Sequence, residues 1–320
     1  MNFCKKSLSL FFCVFCLSIS VLATESTADD NWDGEQYLKN SGLQYQWATS
    51  YIKKLQLQGT EKILDIGCGD GRVTAIIAHA VPDGKVIGVD NSESMLQTAQ
   101  KLQQKLCFDN LAFSMQDATQ LNFAEEFDLI VSFSCFHWVP NHFAALQGIE
   151  KSLKPGGKVF LYFAPDHGRD RFDSAINAVV GSAKWAPYFS NFSNPYSPVT
   201  PSKFATYAED VHLLIKRFEI ITIDEAFPDK AAFIAWMSGW LSYLKLLPKE
   251  LHAEFLDEIM VCYLKTHPAD AAGQIHYIDY WMEVELLKKA NYTQTTEIKI
   301  KLDAINRMTE LGMSKIYNMT

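Results

Sequence analysis

Clusters of basic residues are missing from this 320-residue sequence. It has 29 Lys and Arg residues against 37 Asp and Glu residues, a net charge of -8, and its basic residues adjoin only in pairs such as Lys53-Lys54 and Lys288-Lys289. Non-specific nucleic-acid binding depends on clustered cations that neutralise phosphates. We therefore expect no nucleic-acid partner.

Paired cysteines are also missing after the first 23 residues. The sequence has seven cysteines, of which three lie near the N-terminus and four are widely spaced: Cys68, Cys107, Cys135 and Cys262. A zinc site or a redox dithiol would need closely spaced pairs, so we predict reduced packing thiols and no metal site.

The N-terminus has the three parts of a secretory signal peptide. Lys5 and Lys6 form a basic start, residues 8–22 are apolar or small, and Ala23 ends a Val-Leu-Ala segment suited to cleavage. The apolar run is shorter than the roughly 20 residues that cross a membrane. We predict a leader at residues 1–23, a secreted or periplasmic protein, and no stable membrane span after leader removal. A cytoplasmic protein and an uncleaved membrane anchor are the alternatives.

Strand and helix patterns alternate from residue 62 onward. Predicted strands occupy residues 62–66, 85–89, 111–115, 127–133, 158–163, 219–224 and 280–287, and predicted helices occupy 72–80, 92–105, 142–153, 204–215 and 230–265. Nearly all-apolar strands separated by helices indicate a parallel sheet covered on both faces, with right-handed crossovers. We predict a Rossmann-like, doubly wound α/β domain at residues 24–289 with a mostly parallel seven-stranded sheet. Helical cap insertions are expected at about 165–203 and 229–270, with a tail at 290–320.

A glycine turn follows the first strand, in the sequence Ile-Leu-Asp-Ile-Gly-Cys-Gly-Asp-Gly at residues 63–71. Glycines let the backbone turn tightly and let a ligand approach without meeting Cβ atoms. The helix that begins after the turn favours an anionic group such as a carboxylate. The spacing differs from that of dinucleotide-binding turns, so the turn alone predicts a cofactor without identifying it.

Acidic residues follow the second and third strands. Asp90 lies 23 residues after Gly67, close to the spacing of about 20 at which a carboxylate accepts hydrogen bonds from ribose hydroxyls. A helix N-cap is the alternative role for Asp90. Asp117, followed by Ala118, is placed to accept a hydrogen bond from an adenine amino group, or it is an ordinary turn residue.

The segment at residues 132–138, Ser-Phe-Ser-Cys-Phe-His-Trp, leaves the fourth strand at the crevice where doubly wound sheets bind ligands. His137 could act there as a general base, but we favour a structural role, with its side chain pointing away from Trp138. The predicted insertions are rich in aromatic residues, which are Trp185, Tyr188, Tyr196, Trp236 and Trp240. We expect these side chains mainly in the core, while their density indicates an apolar lid.

Taken in order, these segments resemble class I S-adenosylmethionine-dependent methyltransferases. The resemblance is carried by "ILDIGCGDG", "VIGVDNSESML", "QDA", "FDLIVSFSCFHWV" and "LKPGGKVFLYF". It implies an enzyme that uses S-adenosylmethionine. It also implies the following cofactor contacts: Asp65, Gly67 and Gly69 for the methionine part, Asp90, Asn91, Met95, Asp117 and Ala118 for the adenosine, and Ser132 and Phe133 on the other side.

Three further segments are similar to juvenile hormone acid methyltransferases and, more weakly, to trans-aconitate methyltransferases, which methylate carboxylates. They are "QYLKNSGLQYQWA", "CFHWVPNH" and "KWAPYFSNFSNPYSP". The similarity implies that Gln44 and Trp138 hold the substrate carboxylate. The leader and the tail depart from that family, and the region from Lys230 onward is less similar, so substrate identity does not transfer.

The predicted activity is therefore O-methylation of a small, lipophilic carboxylic acid. A carboxylic acid has a pKa near ~4 and is ionised at neutral pH, so no general base is needed. Tyr37 or Phe136 could attract a sulfonium through cation–π contact. Two alternatives remain open: methylation of a hydroxyl or carbon on a lipid-like or quinone-like substrate with His137 as base, and a cofactor-binding module without turnover. The sequence does not indicate whether the protein is a monomer or an oligomer.

Overall fold

A single sheet organises the part of the chain that the computed structural model describes, residues 32–168 and 172–289. Within those residues its seven strands are β1 Lys62–Ile66, β2 Lys85–Asp90, β3 Leu111–Met115, β4 Phe127–Phe133, β5 Leu153–Phe163, β6 Leu213–Phe227 and β7 Ile275–Lys288. Their order is β3-β2-β1-β4-β5-β7-β6. Strands β1 to β5 pair in parallel, and β7 is antiparallel to both β5 and β6. The mostly parallel, doubly wound sheet predicted from the sequence is confirmed.

Helices cover both faces of this sheet. They are α1 Gly34–Asn40, α2 Gly42–Ile52, α3 Arg72–Ala80, α4 Glu93–Leu106, α5 His142–Ser152, α6 Phe172–Val180, α7 Pro201–Asp210, α8 Lys230–Ser238 and α9 Lys249–Leu264. Consecutive strand residues point to opposite faces: Ile63 packs in one core with α2 and α3, and Leu64 packs in a second core with α5 and α7. The central strands β1 and β4 are nearly all apolar because both of their faces are covered, whereas the edge strand β6 exposes residues such as Lys216 and Thr222.

Two boundaries near β5 and β6 differ from the prediction. Strand β5 begins at Leu153 rather than at residue 158, because Phe127 pairs with Leu153 and Leu129 with Lys158, so that the residues between them bulge from the ladder. The predicted helix 204–215 ends at Asp210, since His212 adopts a φ of 65° and the following apolar residues pair with β7.

The predicted helix 230–265 is interrupted. Helix α8 ends at Ser238, a 3₁₀ turn covers Ser242–Leu246, and α9 begins only after Pro248. Proline has no backbone N–H to donate to the preceding turn, which favours a helix start at this point. Strand β7 begins at Ile275, earlier than the predicted residue 280.

The segments predicted as cap insertions contain α6, α8 and α9, which pack on one another, and α8 also contacts α1. In the described ranges, no helix combines the length and the apolar character needed to cross a membrane. The four cysteines of these ranges are unpaired. The predicted leader at 1–23 and the tail at 290–320 lie outside the described residues.

Candidate active site

The turn after β1 carries three glycines in the left-handed region, with φ of 72° at Gly67, 54° at Gly69 and 79° at Gly71. A Cβ atom on Gly67 would lie 2.2 Å from Cys135 Sγ, far inside contact distance. Only glycine therefore allows this turn to lie against the loop that follows β4. The contact holds the carboxyl ends of β1 and β4 together.

Asp90 ties the glycine turn to the end of β2. Its Oδ2 accepts a hydrogen bond from the Gly69 N–H at 2.9 Å, and its Oδ1 accepts one from the Ser92 N–H at 2.9 Å. The N-cap of α4 is Ser92, whose hydroxyl accepts from the Met95 N–H at 3.1 Å. Asp90 therefore does not cap α4, and its carboxylate, which lines the crevice, has acceptor capacity beyond these two hydrogen bonds.

Asp117 lies at the corresponding end of β3. Its Oδ1 accepts hydrogen bonds from both the backbone N–H and the hydroxyl of Thr119, each at 2.7 Å. Fixing one carboxylate oxygen in this way orients the other. An ionised carboxylate only accepts hydrogen bonds, which matches an amino group as its ligand.

A cleft of about 290 Å³, which we call the cofactor cleft, opens over these strand ends. Eight of the predicted cofactor residues line it: Gly67, Gly69, Asp90, Asn91, Met95, Asp117, Ala118 and Phe133. The sequence analysis did not assign several further lining residues: Trp32, Gln116, Ser134, Cys135, Val139, Pro140 and Pro195. Gln116 lies between the end of β3 and Asp117. Its position next to a predicted cofactor residue could have identified it as a residue of the cleft.

Two predicted cofactor residues lie outside this cleft. Asp65 is 2% exposed, accepts a hydrogen bond from the Thr74 hydroxyl at 2.7 Å, and lines a small adjoining cavity with Gly67 and Tyr37. Burial raises the pKa of its carboxyl to about 7. Ser132 is buried and donates its hydroxyl hydrogen to the Ile66 carbonyl at 2.8 Å, so it joins β4 to β1 instead of lining the cleft.

A second cavity of about 60 Å³, which we call the acceptor pocket, adjoins the cofactor cleft. The two cavities share four of their lining residues, which are Trp32, Tyr37, Ser134 and Trp138. The structure brings Gln44, His137 and Trp138 together in the walls of the acceptor pocket, although 93 positions separate Gln44 from His137 in the sequence. The remaining walls are mostly aromatic, with two carboxylates, Asp173 and Asp279.

Gln44 is oriented by a tryptophan of the cap. The Trp236 indole N–H donates a hydrogen bond to Gln44 Oε1 at 3.2 Å. An indole nitrogen can only donate, so the amide atom facing it must be the oxygen. The Gln44 amide nitrogen is thereby turned away from Trp236 and can donate elsewhere.

His137 also has one ring nitrogen engaged. It is 5% exposed, and its Nδ1 accepts a hydrogen bond from the Ala164 backbone N–H at 3.1 Å. A neutral imidazole that accepts at Nδ1 carries its proton on Nε2, so the other side of the ring is a donor. The expectation that this side chain points away from Trp138 is wrong: both line the acceptor pocket, with ring centroids 5.4 Å apart.

The aromatic residues divide differently from the prediction. Trp185 is fully buried in the core as expected, whereas Tyr188 is 44% exposed. Trp236 is buried in the core as expected and also lines the acceptor pocket, whereas Tyr196 and Trp240, likewise expected in the core, are partly buried in the walls of that pocket.

Of the two aromatic residues predicted for cation–π contact, only one lines the cofactor cleft. Phe136 packs in the opposite core against Phe163 and Phe204, so it does not face the cofactor cleft. Tyr37 lines both cavities, and burial raises the pKa of its phenol above the usual value. Of the two candidates, Tyr37 is therefore the one available beside a sulfonium.

Comparison with known proteins identifies the domain. Residues 57–176 match the model of a family described as a methyltransferase domain. A candidate methyltransferase, 235L, of Invertebrate iridescent virus 6 is 28% identical over 245 residues, covering 77% of this chain and 88% of that protein. The chain carries a methyltransferase domain.

Two further proteins are similar to this chain, one in sequence and one in structure. A trans-aconitate 2-methyltransferase of Methylobacterium nodulans is 24% identical over 252 residues, covering 77% of this chain and 93% of that protein. A solved structure of Haemonchus contortus phosphoethanolamine N-methyltransferase 2 in complex with S-adenosyl-L-methionine has a TM-score of 0.54 at 18% identity, covering 80% of this chain and 56% of that one. The predicted fold, enzyme class and S-adenosylmethionine cofactor are confirmed for the methyltransferase domain.

The lining of the cofactor cleft fits this cofactor. Asp90 and Asp117 offer only acceptor atoms, which suit ribose hydroxyls and an adenine amino group. Met95 and Phe133 add apolar walls, and Gly67 and Gly69 line the cleft without a side chain. The chemistry of the lining groups thus agrees with the enzyme class.

Proposed function

We propose that this methyltransferase transfers the methyl group to a carboxylate oxygen of a small-molecule acid held by Gln44 and Trp138. One observation carries the proposal: the polar groups around the reactive end of the acceptor pocket are oriented as hydrogen-bond donors. Trp236 donates to the Gln44 amide oxygen, which leaves the amide nitrogen as the donor of that side chain. The Ala164 N–H donates to His137 Nδ1, and the Trp138 indole can only donate. A carboxylate, which only accepts, is the complementary partner.

Bound S-adenosylmethionine supplies an electrophilic methyl group. A carboxylic acid with a pKa near ~4 reaches the pocket already ionised, so the protein has no proton to remove. Its contribution is to orient the carboxylate and to exclude water, effects worth up to roughly 7–11 kcal/mol in well-positioned systems. Trp32 and Trp138, edge to face at 5.2 Å, stand between the cofactor cleft and the acceptor pocket and help to exclude water there.

The pocket walls and the relatives support an organic acid with an apolar body. Trp47, Trp236, Trp281 and Phe172 provide large aromatic surfaces, which bury apolar groups favourably. One relative is named for trans-aconitate, a carboxylic acid, although at 24% identity. The two aspartates in the walls argue against a substrate that places further carboxylates beside them.

Methylation of a hydroxyl is the second candidate, since His137 lines the pocket. That reaction needs a base with a free nitrogen facing the substrate. The hydrogen bond from the Ala164 N–H engages Nδ1, and Nε2 carries the proton of the neutral ring. His137 is therefore better suited to donate to an anion than to remove a proton.

Two isosteric variants of the full chain separate these candidates. The assay follows transfer of a labelled methyl group to a panel of aliphatic and aromatic acids, together with the corresponding alcohols and phenols. His137→Gln retains a donor near the Nε2 position but removes the base, so methylation of acids should persist. Gln44→Glu replaces a donor by an anion, and kcat/KM should fall by more than about 160-fold, the largest effect expected from losing one charge-assisted hydrogen bond of ~1.5–3 kcal/mol.

The opposite pattern would contradict the proposal. If alcohols or phenols are the substrates and His137→Gln abolishes turnover, the base mechanism replaces it. Cofactor binding without turnover of any acceptor would favour a binding module instead.

A further inference from the structure

Two of the seven tryptophans of this chain bury an indole N–H that has no hydrogen-bond partner among the residues that the structure describes. Among the described residues, Trp47 donates to Glu225, Trp185 to Glu258 and Trp236 to Gln44. In the same residues, Nε1 of Trp240 and Nε1 of Trp281 are buried without a partner. Both of these residues line the acceptor pocket.

Trp281 is held in the wall of that pocket by three aromatic rings. It is 5% exposed, and its ring lies 4.9 Å from that of Trp47 and 4.8 Å from that of Tyr162. Its third neighbour is His137, at 5.4 Å and nearly perpendicular. Tyr162 lies near the carboxyl end of β5, and its carbonyl accepts from the Ser134 N–H, so this cluster borders the wall shared with the cofactor cleft.

A buried N–H without an acceptor is costly, because it has lost its bond to water and gained none in return. Packing against three rings keeps the indole from turning its N–H toward solvent. A ligand that brings an acceptor atom removes the cost on binding. A carboxylate offers two such atoms and no donor.

We propose that the Trp281 indole N–H is a third hydrogen-bond donor to the substrate carboxylate, beside Gln44 and Trp138, and determines specificity for an anionic acceptor. This inference rests on the proposed carboxyl methylation. The donors also select against amines and primary amides, because their N–H groups would meet N–H groups across the pocket.

The role makes a specific kinetic prediction. The carboxylate loses its negative charge as the ester forms, so a donor to that charge stabilises the bound substrate at least as well as the transition state. Removing the donor should therefore raise KM and leave kcat nearly unchanged. A residue that only supports packing would lower kcat or weaken cofactor binding as well.

The test uses Trp281→Phe in the full chain, with steady-state kinetics on an acid that the wild type methylates and calorimetry with S-adenosylmethionine. We expect KM for the acid to rise at least about tenfold, the effect of losing one hydrogen bond to a charged group. We expect kcat and the cofactor Kd to stay within twofold. Trp185→Phe is the matched control: it removes a bonded, buried indole outside both cavities, so it should lower stability without changing KM.

Replacement of Trp281 by L-3-benzothienylalanine tests the same point without changing the ring shape, because sulfur takes the place of the N–H. It decides the outcome if Trp281→Phe does not fold. An unchanged KM in either variant overturns the role of Trp281, as does a parallel loss of kcat and cofactor affinity. If the wild type methylates no acid at all, the carboxylate proposal fails first and the Trp281 role fails with it, whereas acid turnover with equal KM rejects the Trp281 role alone.

Discussion

Replacing Trp236 by phenylalanine removes the hydrogen bond that sets the orientation of the Gln44 amide. In the structure the indole N–H lies 3.2 Å from Gln44 Oε1. Phenylalanine keeps an aromatic ring in the wall of the acceptor pocket but has no donor. The amide of Gln44 can then rotate and present either its oxygen or its nitrogen to the substrate.

The size of the effect follows from that single bond. A neutral hydrogen bond contributes about 0.5–1.5 kcal/mol net, so Trp236→Phe should raise KM for the acid by about 2- to 10-fold. Gln44→Ala removes the donor to the carboxylate itself, worth about 1.5–3 kcal/mol, and should raise KM by about 10- to 100-fold. Once Gln44 is alanine, Trp236 has no amide to orient, and its replacement should cost little more.

A double-mutant cycle measures this dependence and cancels the packing change that both Trp236 variants share. The four proteins are the wild type, the two single variants and the double variant, compared by KM for the acid and Kd for S-adenosylmethionine. We expect a coupling of about 1 kcal/mol in acid binding and none in cofactor binding. Additive effects on KM would refute the orienting role of Trp236.

Three other predictions concern different parts of the chain. Asp90→Ala should abolish micromolar S-adenosylmethionine binding in calorimetry while the chain stays folded, since the carboxylate serves the cleft as well as the turn; retained affinity would exclude Asp90 from the ribose site. In the folded protein the pKa of the Asp65 carboxyl is raised from 3.8 to about 7, so burial favours its protonated form. Compared with Asp65→Asn, the free energy of unfolding of the wild type should therefore fall as the pH rises from about 4 to about 7, and should not fall further above pH 7. Denaturant titrations of both proteins at several pH values test this, and parallel curves would contradict it. We also propose that residues 1–23 direct export, for which fractionation of a C-terminally tagged chain should give a processed, exported form; an unprocessed cytosolic chain would reject it.

The cofactor side of the site was predictable because its residues are local in the sequence. Gly67 directly follows β1 and Asp90 is the last residue of β2, and parallel strands bring their carboxyl ends to one edge. Asp117 follows by the same rule. Ser132 was assigned to the cleft by resemblance, but its hydroxyl bonds to the Ile66 carbonyl of β1, and Ser134, which follows the end of β4, lines the cleft instead.

The acceptor side was predictable only in part. Trp32 and Trp281 stand 249 positions apart, yet both line the acceptor pocket. Their meeting depends on how the N-terminal segment and the last strand pack, which no local pattern encodes. The interruption of the helix after Ser238 was more accessible, since Gly239 and Pro248 are helix-breaking residues in the sequence itself.

The small volume of the acceptor pocket has a consequence for the rate of the enzyme. Its free space of about 60 Å³ is about a fifth of the roughly 290 Å³ of the cofactor cleft, which leaves little room for an organic acid with an apolar body. Trp236 and Trp240 come from the cap, so a shift of that segment or of these side chains would widen the pocket. Substrate entry and ester departure therefore require the same displacement, and turnover should slow as solvent viscosity increases.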